Sequence, residues 1–381
     1  MEALSPVPTL RLLLDHFAAI RDWRQPCKVM YPLREVLLLV VCGTIACGDD
    51  YDDIVDWGEA HLELLRRFSE FHFGIPCADW LRVVMNRIDP GLFADCFTAW
   101  VAAAMPGKID LVAIDGKTSR RSHDRAKSKL PLHLVSAFAS HGHLVLGQQA
   151  IDEKANEIIA IPELIERLDV EGALVSVDAI GCNPRVADAI IAAKADYLLA
   201  VKDNQPTLAA DCQSYFETAP SAELQTHVTL DKSHGRIETR KHTLTHAASW
   251  LASERAYPGA PRFPDLVMIA MAERRVEWRG ATSCDQSYYI SSRALTPEAF
   301  ADAVRSHWAI ENNLHWVLDV TFREDLSRLR QGHGAHNMAI VRHFAFNCLK
   351  KVKDKRSMKT RRKRASYDHG YMLSIIQPHN R

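Results

Sequence analysis

Apolar residues in the N-terminal part of the chain recur every three to four positions, the spacing that puts side chains on one face of a helix. One set comprises Leu10, Leu13, Leu14, Phe17 and Ile20, and a second comprises Ile54, Trp57, Leu62, Leu64, Leu65 and Phe68. Asp79 stands at the N-cap position of a further helix. We therefore predict an all-helical N-terminal domain over residues 1–105, which ends at the helix breaker Met105-Pro106-Gly107.

Short runs rich in β-branched residues replace this pattern from Ile109 onward. They predict strands at 109–114, 134–139, 143–150, 173–177 and 197–201, with helices at 158–168 and 185–195. Strands that alternate with helices are typical of a mixed α/β sheet. We predict that residues 106–215 form the first part of an α/β core.

Residues 216–292 interrupt this alternation. Strand-like runs occur at 227–230, 236–245, 266–272 and 288–291, separated by turns and by a loop with Pro258, Pro261 and Pro264. They predict a β-rich insertion. Helical spacing returns at 297–320, with Thr296 as N-cap, and again at 338–349, so residues 293–349 are expected to complete the core.

The formal net charge of zero conceals a strong asymmetry. The segment Lys350–Arg364 contains ten Lys and Arg residues against the single acid Asp354, so the rest of the chain is acidic. A basic tail over residues 350–381 suggests a polyanionic partner, although a solvated, disordered tail has the same composition. The candidate contacts to a polyanion in this tail are Lys359, Arg361, Arg362, Lys363 and Arg364.

Cysteine usage and hydropathy indicate a protein of the reducing cytoplasm. The nine cysteines are odd in number and form no CxxC pair, unlike a disulfide framework. Glu2 and two prolines precede any apolar stretch, which is not the pattern of a signal peptide. The longest apolar run, Val36–Cys47, is shorter than the roughly 20 residues of a membrane span. We therefore expect no membrane partner.

Two of the predicted strands end in a lone carboxylate. They are Leu111–Asp115 and Leu174–Asp178. A carboxylate beside a buried strand is costly without a partner, and a divalent cation is a common one. A third acid, Glu311, lies in the helical stretch far downstream. Asp, Asp and a distant helical Glu suit two-metal phosphoryl transfer on a polynucleotide, in which Mg²⁺ ions about 3.5–4 Å apart assist an in-line displacement.

The residues that follow Asp115 are further candidates. The triplet Gly116-Lys117-Thr118 resembles part of a phosphate-binding loop but lacks its earlier glycine, so nucleotide binding is disfavoured. With a tight turn at Gly116, the basic residues Lys117, Arg120 and Arg121 would lie near a bound phosphate. The competing interpretation is an exposed turn with ordinary surface charges. Trp308 and Trp316, on the Glu311 helix, are expected to pack in the core.

The segment His234–Arg240 combines charges with strand spacing. On a strand, Arg236, Glu238 and Arg240 share one face. They form either a charge ladder or a phosphate-binding surface on which Glu238 orients the two arginines. The sequence pattern favours neither alternative.

Taken in order, the segments Leu111–Thr118, Val177–Cys182, His234–Arg240 and Trp308–Val320 resemble the DDE transposases of bacterial insertion sequences. The most similar branch includes the H-repeat proteins associated with Rhs elements. Tyr31–Arg34, Gly74–Pro76 and the basic tail resemble the same branch, so the similarity spans nearly the whole chain.

The resemblance implies an RNase H-like catalytic core with the β-rich insertion between the second Asp and the Glu. It implies that Asp115, Asp178 and Glu311 are the catalytic metal ligands. Related enzymes often carry Tyr, Arg and Lys around this Glu, where this chain has Val304, His307 and Leu318. His307 and the nearby Asp319 are candidate supporting residues.

The resulting hypothesis is a transposase that cleaves element ends and joins them to target DNA with two Mg²⁺ ions, for which Mn²⁺ can substitute. Its expected partners are double-stranded DNA and further copies of the chain, since two ends must be paired. Its expected location is the bacterial cytoplasm, associated with the nucleoid. The alternatives are an inactive or repurposed DNA-binding relic and a metal-dependent nuclease without joining activity.

Overall fold

The structure is a computed structural model that describes residues 8–104, 107–123, 130–151, 156–233, 235–248, 251 and 263–376, with backbone alone for residues 8–12. Several predicted features lie wholly or partly outside these ranges. They include residues 1–7 of the helical domain, the breaker at Met105 and Pro106, His234, the prolines Pro258 and Pro261, and residues 377–381 of the basic tail.

The N-terminal region is helical, as its sequence predicts. Its helices are α1 Pro8–Ala19, α2 Leu33–Ile45, α3 Tyr51–Ala60, α4 Leu62–Leu65, α5 Ala78–Met85 and α6 Pro90–Ala104. The prediction of Asp79 as an N-cap is wrong. Cys77 takes the cap position, and the Asp79 carboxylate pairs instead with Arg82 one turn along the helix.

The centre of the chain forms a mixed sheet, which confirms the predicted α/β class. Its first strands are β1 Leu111–Thr118, β2 His133–Ala139, β3 Leu144–Ile151, β4 Leu174–Val177 and β5 Asp196–Val201. β1 pairs antiparallel with β2 and parallel with β4, which in turn pairs parallel with β5. Helices α7 Glu157–Ile165 and α8 Pro184–Ala192 connect the later strands.

The strands predicted in the 216–292 segment exist and extend the same sheet. The one predicted at 236–245 has the predicted bounds, whereas the other three are longer than predicted. After helix α9 Pro206–Thr218, which the sequence analysis missed, come β6 Gln225–Ser233, β7 Arg236–Thr245, β8 Met268–Trp278 and β9 Ala281–Ser291. The strand order is β3-β2-β1-β4-β5-β9-β8-β7-β6. The outer half of β8 is largely exposed, so it lacks the alternation from which a strand is predicted.

The C-terminal helices return to the sheet and to the N-terminal region. They are α10 Pro297–His307, a π-helical turn Glu311–His315, α11 Trp316–Val320, α12 Gly334–Lys350, α13 Met358–Ala365 and α14 His369–Ile376. Thr296 caps α10 as predicted, because its Oγ1 accepts a hydrogen bond from Ala299 N at 3.2 Å. Helix α12 is almost wholly buried and packs against α2, α6 and β3.

Two buried asparagines of α12 fix it to its neighbours. Asn337 Nδ2 donates to the carbonyls of Met85 and Ile88 at 2.7 and 2.9 Å. Asn347 bonds both the N–H and the carbonyl of Val145 on β3. These bonds satisfy buried polar groups and hold α12 in one register against both the helical region and the sheet.

The basic tail is folded rather than solvated along α13 and α14. Arg361 is paired with Asp354 at 2.9 Å and donates to the Leu349 carbonyl. Arg362, only 2% exposed, donates to the carbonyls of Thr44 and Thr321. The prediction that these two arginines contact DNA is therefore wrong for this fold, since both guanidinium groups are used internally.

Substitution of Arg362 tests this structural role. Arg362→Ala leaves the Thr44 and Thr321 carbonyls without their donor, so we expect the free energy of unfolding to fall by about 2–4 kcal/mol. Lys363→Ala, at the exposed neighbouring position, should change it by less than about 0.5 kcal/mol. Chemical denaturation followed by circular dichroism measures both values. Equal effects of the two substitutions would contradict the structural role.

Candidate active site

The two strand carboxylates come together where β1 and β4 separate. The parallel pairing of these strands ends at Ile114 and Val177, so Asp115 and Asp178 are the next residue on each strand. The sequence suggested that the first strand ends at Asp115. In the structure β1 continues beyond Asp115 and pairs with β2 as far as Thr118. Gly116 is accordingly a strand residue rather than a turn. The result is two adjacent carboxylates at an open edge of the sheet.

Glu311 reaches this edge from the π-helical turn. Ile310 and Leu314 on the same segment are fully buried and anchor it, while Glu311 is exposed. The Trp316 N–H bonds the Glu311 carbonyl, the wider spacing that defines a π turn. Such turns are frequent at functional sites because they re-aim side chains on a helix.

The tryptophans on either side of Glu311 were predicted to lie in the core, and that prediction is wrong. Trp308 is 54% exposed and Trp316 is 57% exposed. The buried face of this segment is instead formed by Ile310 and Leu314, so helical spacing alone did not identify which apolar side chains face the core.

The carboxylates raise one another's proton affinity. Burial, and then the charges of Asp178, Glu157 and Glu311, raise the pKa of Asp115 to about 7. Burial and the Glu157 charge also raise the pKa of Asp178. Uncompensated carboxylates of this kind suit a divalent cation, because carboxylate oxygens are typical ligands of hard divalent ions. Among the described residues, however, no group of three or more His, Cys, Asp or Glu side chains is already placed to hold a metal ion.

Two histidines of the Glu311 segment line the same edge. His315 Nδ1 lies 3.5 Å from Asp115 Oδ2, and His307 Nδ1 lies 3.0 Å from Ser176 Oγ on β4. Burial lowers the pKa of each histidine to about 4, so both are neutral at pH 7. They add no positive charge to offset the carboxylates. The sequence analysis singled out His307 but not His315.

Lys117 does not lie free beside the site. Its Nζ is 2.7 Å from Asp319 Oδ1 and 3.0 Å from the buried Glu324 Oε2. Arg342, on α12, pairs with the other oxygen of Glu324 at 3.6 Å. This largely buried ion cluster occupies Lys117, which contradicts the prediction that it lies free near a bound phosphate. The supporting role predicted for Asp319 stays a prediction.

Arg120 and Arg121 follow β1 on the surface, as the sequence predicted. The Arg120 side chain is 82% exposed and its Nε is 3.4 Å from Asp325. Arg121 is also exposed. Both therefore remain available to a polyanion that approaches the carboxylates.

The other three basic candidates of the tail segment have different environments. Lys359 and Lys363 are exposed on α13, whereas Arg364 pairs with Asp368 at 2.9 Å. Only part of the predicted basic surface is therefore presented to solvent.

The charged face of β7 is built around one buried glutamate. Glu238, 2% exposed, accepts from Arg236, Arg240 and Arg274, each at 2.6 Å. These three arginines lower its pKa. The arginine side chains are between 27% and 48% exposed. Glu238 thus orients Arg236 and Arg240, which the sequence analysis identified. It also orients Arg274 from β8, which the sequence analysis missed.

One acidic residue at the site was missed entirely. Glu157 begins α7, is 8% exposed, and accepts from His133 Nε2 at 2.7 Å. Its charge acts on both Asp115 and Asp178. No sequence motif marks it, since a glutamate in the first turn of a helix is ordinary.

Two further structural features concern the cysteines and the helices. None of the nine cysteines, all of which lie in the described ranges, forms a disulfide. Within the described ranges, none of the helices combines the length and the apolar composition needed to cross a bilayer.

Comparison with protein families gives two matches that together span most of the chain. A family described as Transposase DDE domain matches residues 106–348, and one described as DDE_Tnp_1-associated matches residues 14–101. The first match contains Asp115, Asp178 and Glu311.

Several Escherichia coli K12 proteins are similar to this chain. The H repeat-associated protein YhhI, which carries the word transposase in its name, is 36% identical over 375 residues, 96% of this chain and 98% of that protein. The H repeat-associated protein YbfD is 38% identical over 61% of this chain and 93% of its own length. YbfQ, named an inactive transposase, is 36% identical over 20% of this chain and 93% of its own length.

Among solved structures, a chain of the piggyBac transposase synaptic complex with hairpin DNA aligns with 97% of this chain and 78% of that chain. The sequence identity is 11% and the TM-score is 0.43. A score this low does not establish a shared fold.

The raised pKa of Asp115 predicts how stability depends on pH without metal. The folded pKa of about 7 exceeds the ordinary 3.8, so the stability that this group contributes is complete below about pH 4 and is lost as the pH rises through about 7. In EDTA at pH 8, the free energy of unfolding of Asp115→Asn should therefore exceed that of the wild type by about 2–4 kcal/mol.

Denaturation curves in EDTA at pH 4, 6 and 8 measure this difference, which should nearly vanish at pH 4. The matched control is Asp302→Asn, an exposed aspartate on α10 paired with His141. A constant difference across the pH range would show that the Asp115 charge is not the cause.

Proposed function

The chain belongs to the DDE transposase family, and on that premise we propose that it catalyses metal-dependent cleavage of DNA at insertion-sequence ends and joins those ends to target DNA. Asp115, Asp178 and Glu311 are the catalytic carboxylates. The observation that carries this proposal is the position of Asp115 and Asp178 side by side where β1 and β4 separate, with Glu311 supplied by the π turn.

The cofactor of the proposed reaction is a pair of Mg²⁺ ions, with Mn²⁺ as a substitute. The donor set fits, because carboxylate oxygens are hard ligands and these are close enough to raise the pKa of Asp115. When bound, such ions activate the attacking oxygen and stabilise the leaving oxygen. Few protein ligands are required, because Mg²⁺ usually keeps several waters and also binds substrate phosphate.

The chain's own residues prepare the site for an anionic substrate in two ways. The neutral His307 and His315 pack beside the carboxylates without competing as cations. Lys117 is retained by Asp319 and Glu324 and therefore does not neutralise Asp115. The carboxylates are left for metal ions, and the substrate phosphate then binds through those ions rather than directly to protein cations.

We further propose that the core is RNase H-like. The order β3-β2-β1-β4-β5, with an antiparallel first trio and parallel β1, β4 and β5, supports this assignment. In this proposal residues 106–215 and 293–349 form the catalytic core, residues 216–292 are an insertion, residues 1–105 are a helical domain, and residues 350–381 are a basic C-terminal segment. The insertion would carry Glu238 and its arginines away from the carboxylates along the sheet.

The proposed substrate is double-stranded DNA, and phosphate contacts are expected to dominate its affinity. The candidate contacts are Arg120, Arg121, Arg236, Arg240, Lys359, Lys363 and Arg364. Pairing of two element ends requires a homodimer or a larger assembly. The proposed location is the bacterial cytoplasm, on the nucleoid.

A second candidate function is DNA binding without catalysis, as expected of a transposase relic. It is favoured by Val304, His307 and Leu318 at positions where related enzymes often carry Tyr, Arg and Lys. A third candidate is a nuclease that hydrolyses DNA without joining it. In that case water is the attacking group, whereas in joining a 3′-hydroxyl attacks, so the cleavage and joining assay below distinguishes the two.

A cleavage and joining assay tests the catalytic assignment. The substrate is a plasmid that contains the gene with its native flanking DNA, incubated with purified protein and Mg²⁺ or Mn²⁺. Asp115→Asn, Asp178→Asn and Glu311→Gln should each reduce cleavage at least about a thousandfold, roughly 4 kcal/mol of barrier. Asp302→Asn should retain the wild-type rate.

The outcomes separate the candidates. Cleavage followed by insertion into a second plasmid supports the transposase, and cleavage without insertion supports the nuclease. Folded wild-type protein that binds the flanking DNA but leaves it intact supports the relic. Wild-type cleavage by Asp115→Asn would refute the catalytic assignment.

The Glu238 cluster provides a separate prediction about DNA binding. Arg236→Ala or Arg240→Ala should weaken binding similarly for all sequences and reduce the slope of log K against log salt by about one, because one phosphate contact is lost. Fluorescence anisotropy from 50 to 300 mM NaCl measures the slope. The control is Lys194→Ala, which removes an exposed lysine paired with Glu171. An unchanged slope in both arginine variants would limit the Glu238 cluster to a structural charge ladder.

A further inference from the structure

Glu157 approaches the backbone of β1 immediately beside Asp115. This approach is possible only because the residue after Asp115 on β1, Gly116, has no side chain. A β-carbon built at Gly116 would overlap Glu157 Oε1 and lie 2.7 Å from His133 Nε2. The carboxylate therefore fills the space that any other residue at position 116 would occupy.

A chain of hydrogen bonds holds Glu157 in this position. His133 Nε2 lies 2.7 Å from Glu157 Oε1, and His133 Nδ1 lies 2.6 Å from Thr118 Oγ1. Thr118 and His133 face each other in the pairing of β1 with β2. The strand that carries Asp115 thus also fixes, through His133, the orientation of Glu157.

Glu157 borders a cavity although it is only 8% exposed. Together with His133 and Ile180 it lines a cavity of about 710 Å³. Ile180 follows Asp178 by two residues, so the cavity reaches the segment after β4, although Asp115, Asp178 and Glu311 do not line it. A glutamate that served only as a partner for His133 would not need to border this opening.

From this geometry we propose that Glu157 is a fourth carboxylate of the divalent-cation site, with His133 as its positioning residue. The proposal rests on the proposed function, since the cation site is that of Asp115, Asp178 and Glu311. Glu157 enters from α7, on the side of β1 to which Gly116 points, and therefore adds an oxygen ligand from a direction that the strand aspartates do not cover.

Binding of Mn²⁺ to the full-length protein without DNA tests this role independently of activity. Isothermal titration calorimetry and Mn²⁺ paramagnetic resonance give affinity and stoichiometry. We expect Glu157→Gln to weaken Mn²⁺ binding at least about tenfold, and His133→Gln to weaken it less, within the range known for groups that support metal ligands. The matched control is Glu163→Gln, an exposed glutamate on the same helix, bonded to Gln149.

Each outcome distinguishes this inference from the proposed function. Loss of Mn²⁺ binding in Asp115→Asn with wild-type affinity in Glu157→Gln would overturn the fourth-ligand role alone. Absence of Mn²⁺ binding in the wild type would overturn both. If Glu157→Gln fails to fold by circular dichroism, Glu157→Asp, which retracts the carboxylate by one methylene, should bind at least about threefold more weakly, and unchanged affinity would refute the role.

Discussion

The parallel pairing of β1 with β4 is the constraint on which the candidate active site depends. It places Ile114 beside Val177 and then stops, so that Asp115 and Asp178 follow at the same edge of the sheet. Inside the pairing, either carboxylate would be buried without a partner, at a cost of several kcal/mol. Just beyond it, both remain anchored by a buried strand and yet open to solvent. The position of the break in pairing therefore matters as much as the identity of the residues.

The charges around this edge are distributed so that the carboxylates stay uncompensated. Lys117 lies on the same strand as Asp115, but Asp319 and Glu324 bind it. His315, the histidine nearest Asp115, is neutral at pH 7 because it is buried. Lys202 only partly offsets this negative charge, because the pKa of Asp178 is still raised. A cluster of acids is unfavourable by itself, and it becomes favourable when divalent ions supply the missing charge. The metal-free protein therefore carries a cost in stability that serves the proposed chemistry.

Buried basic residues hold the distant parts of the chain together. Arg362, at the C-terminal end, bonds carbonyls from α2 and from the turn after α11, and Arg342 on α12 reaches Glu324 in the ion cluster of Lys117. In β7 the arrangement is reversed, because one buried glutamate orients three partly exposed arginines. The same residue type therefore has a structural role in α13 and α12 and leaves charge at the surface in β7. Only the number and burial of the partners distinguish these roles.

The sequence by itself determined the helical N-terminal region, the strands β1 to β5, the pair Asp115 and Asp178, and the family, because each depends on local periodicity or on short ordered motifs. It did not determine the exposed outer half of β8, the exposure of Trp308, or the burial of Arg362. Nor did it reveal Glu157, which comes to the site from another segment, or His315, which shares the π turn with Glu311. These features were decided by tertiary packing, because burial, ion pairing and the phase of a π turn depend on which surfaces meet. A residue's chemistry can be read from the chain, but its partners are assigned only by the fold.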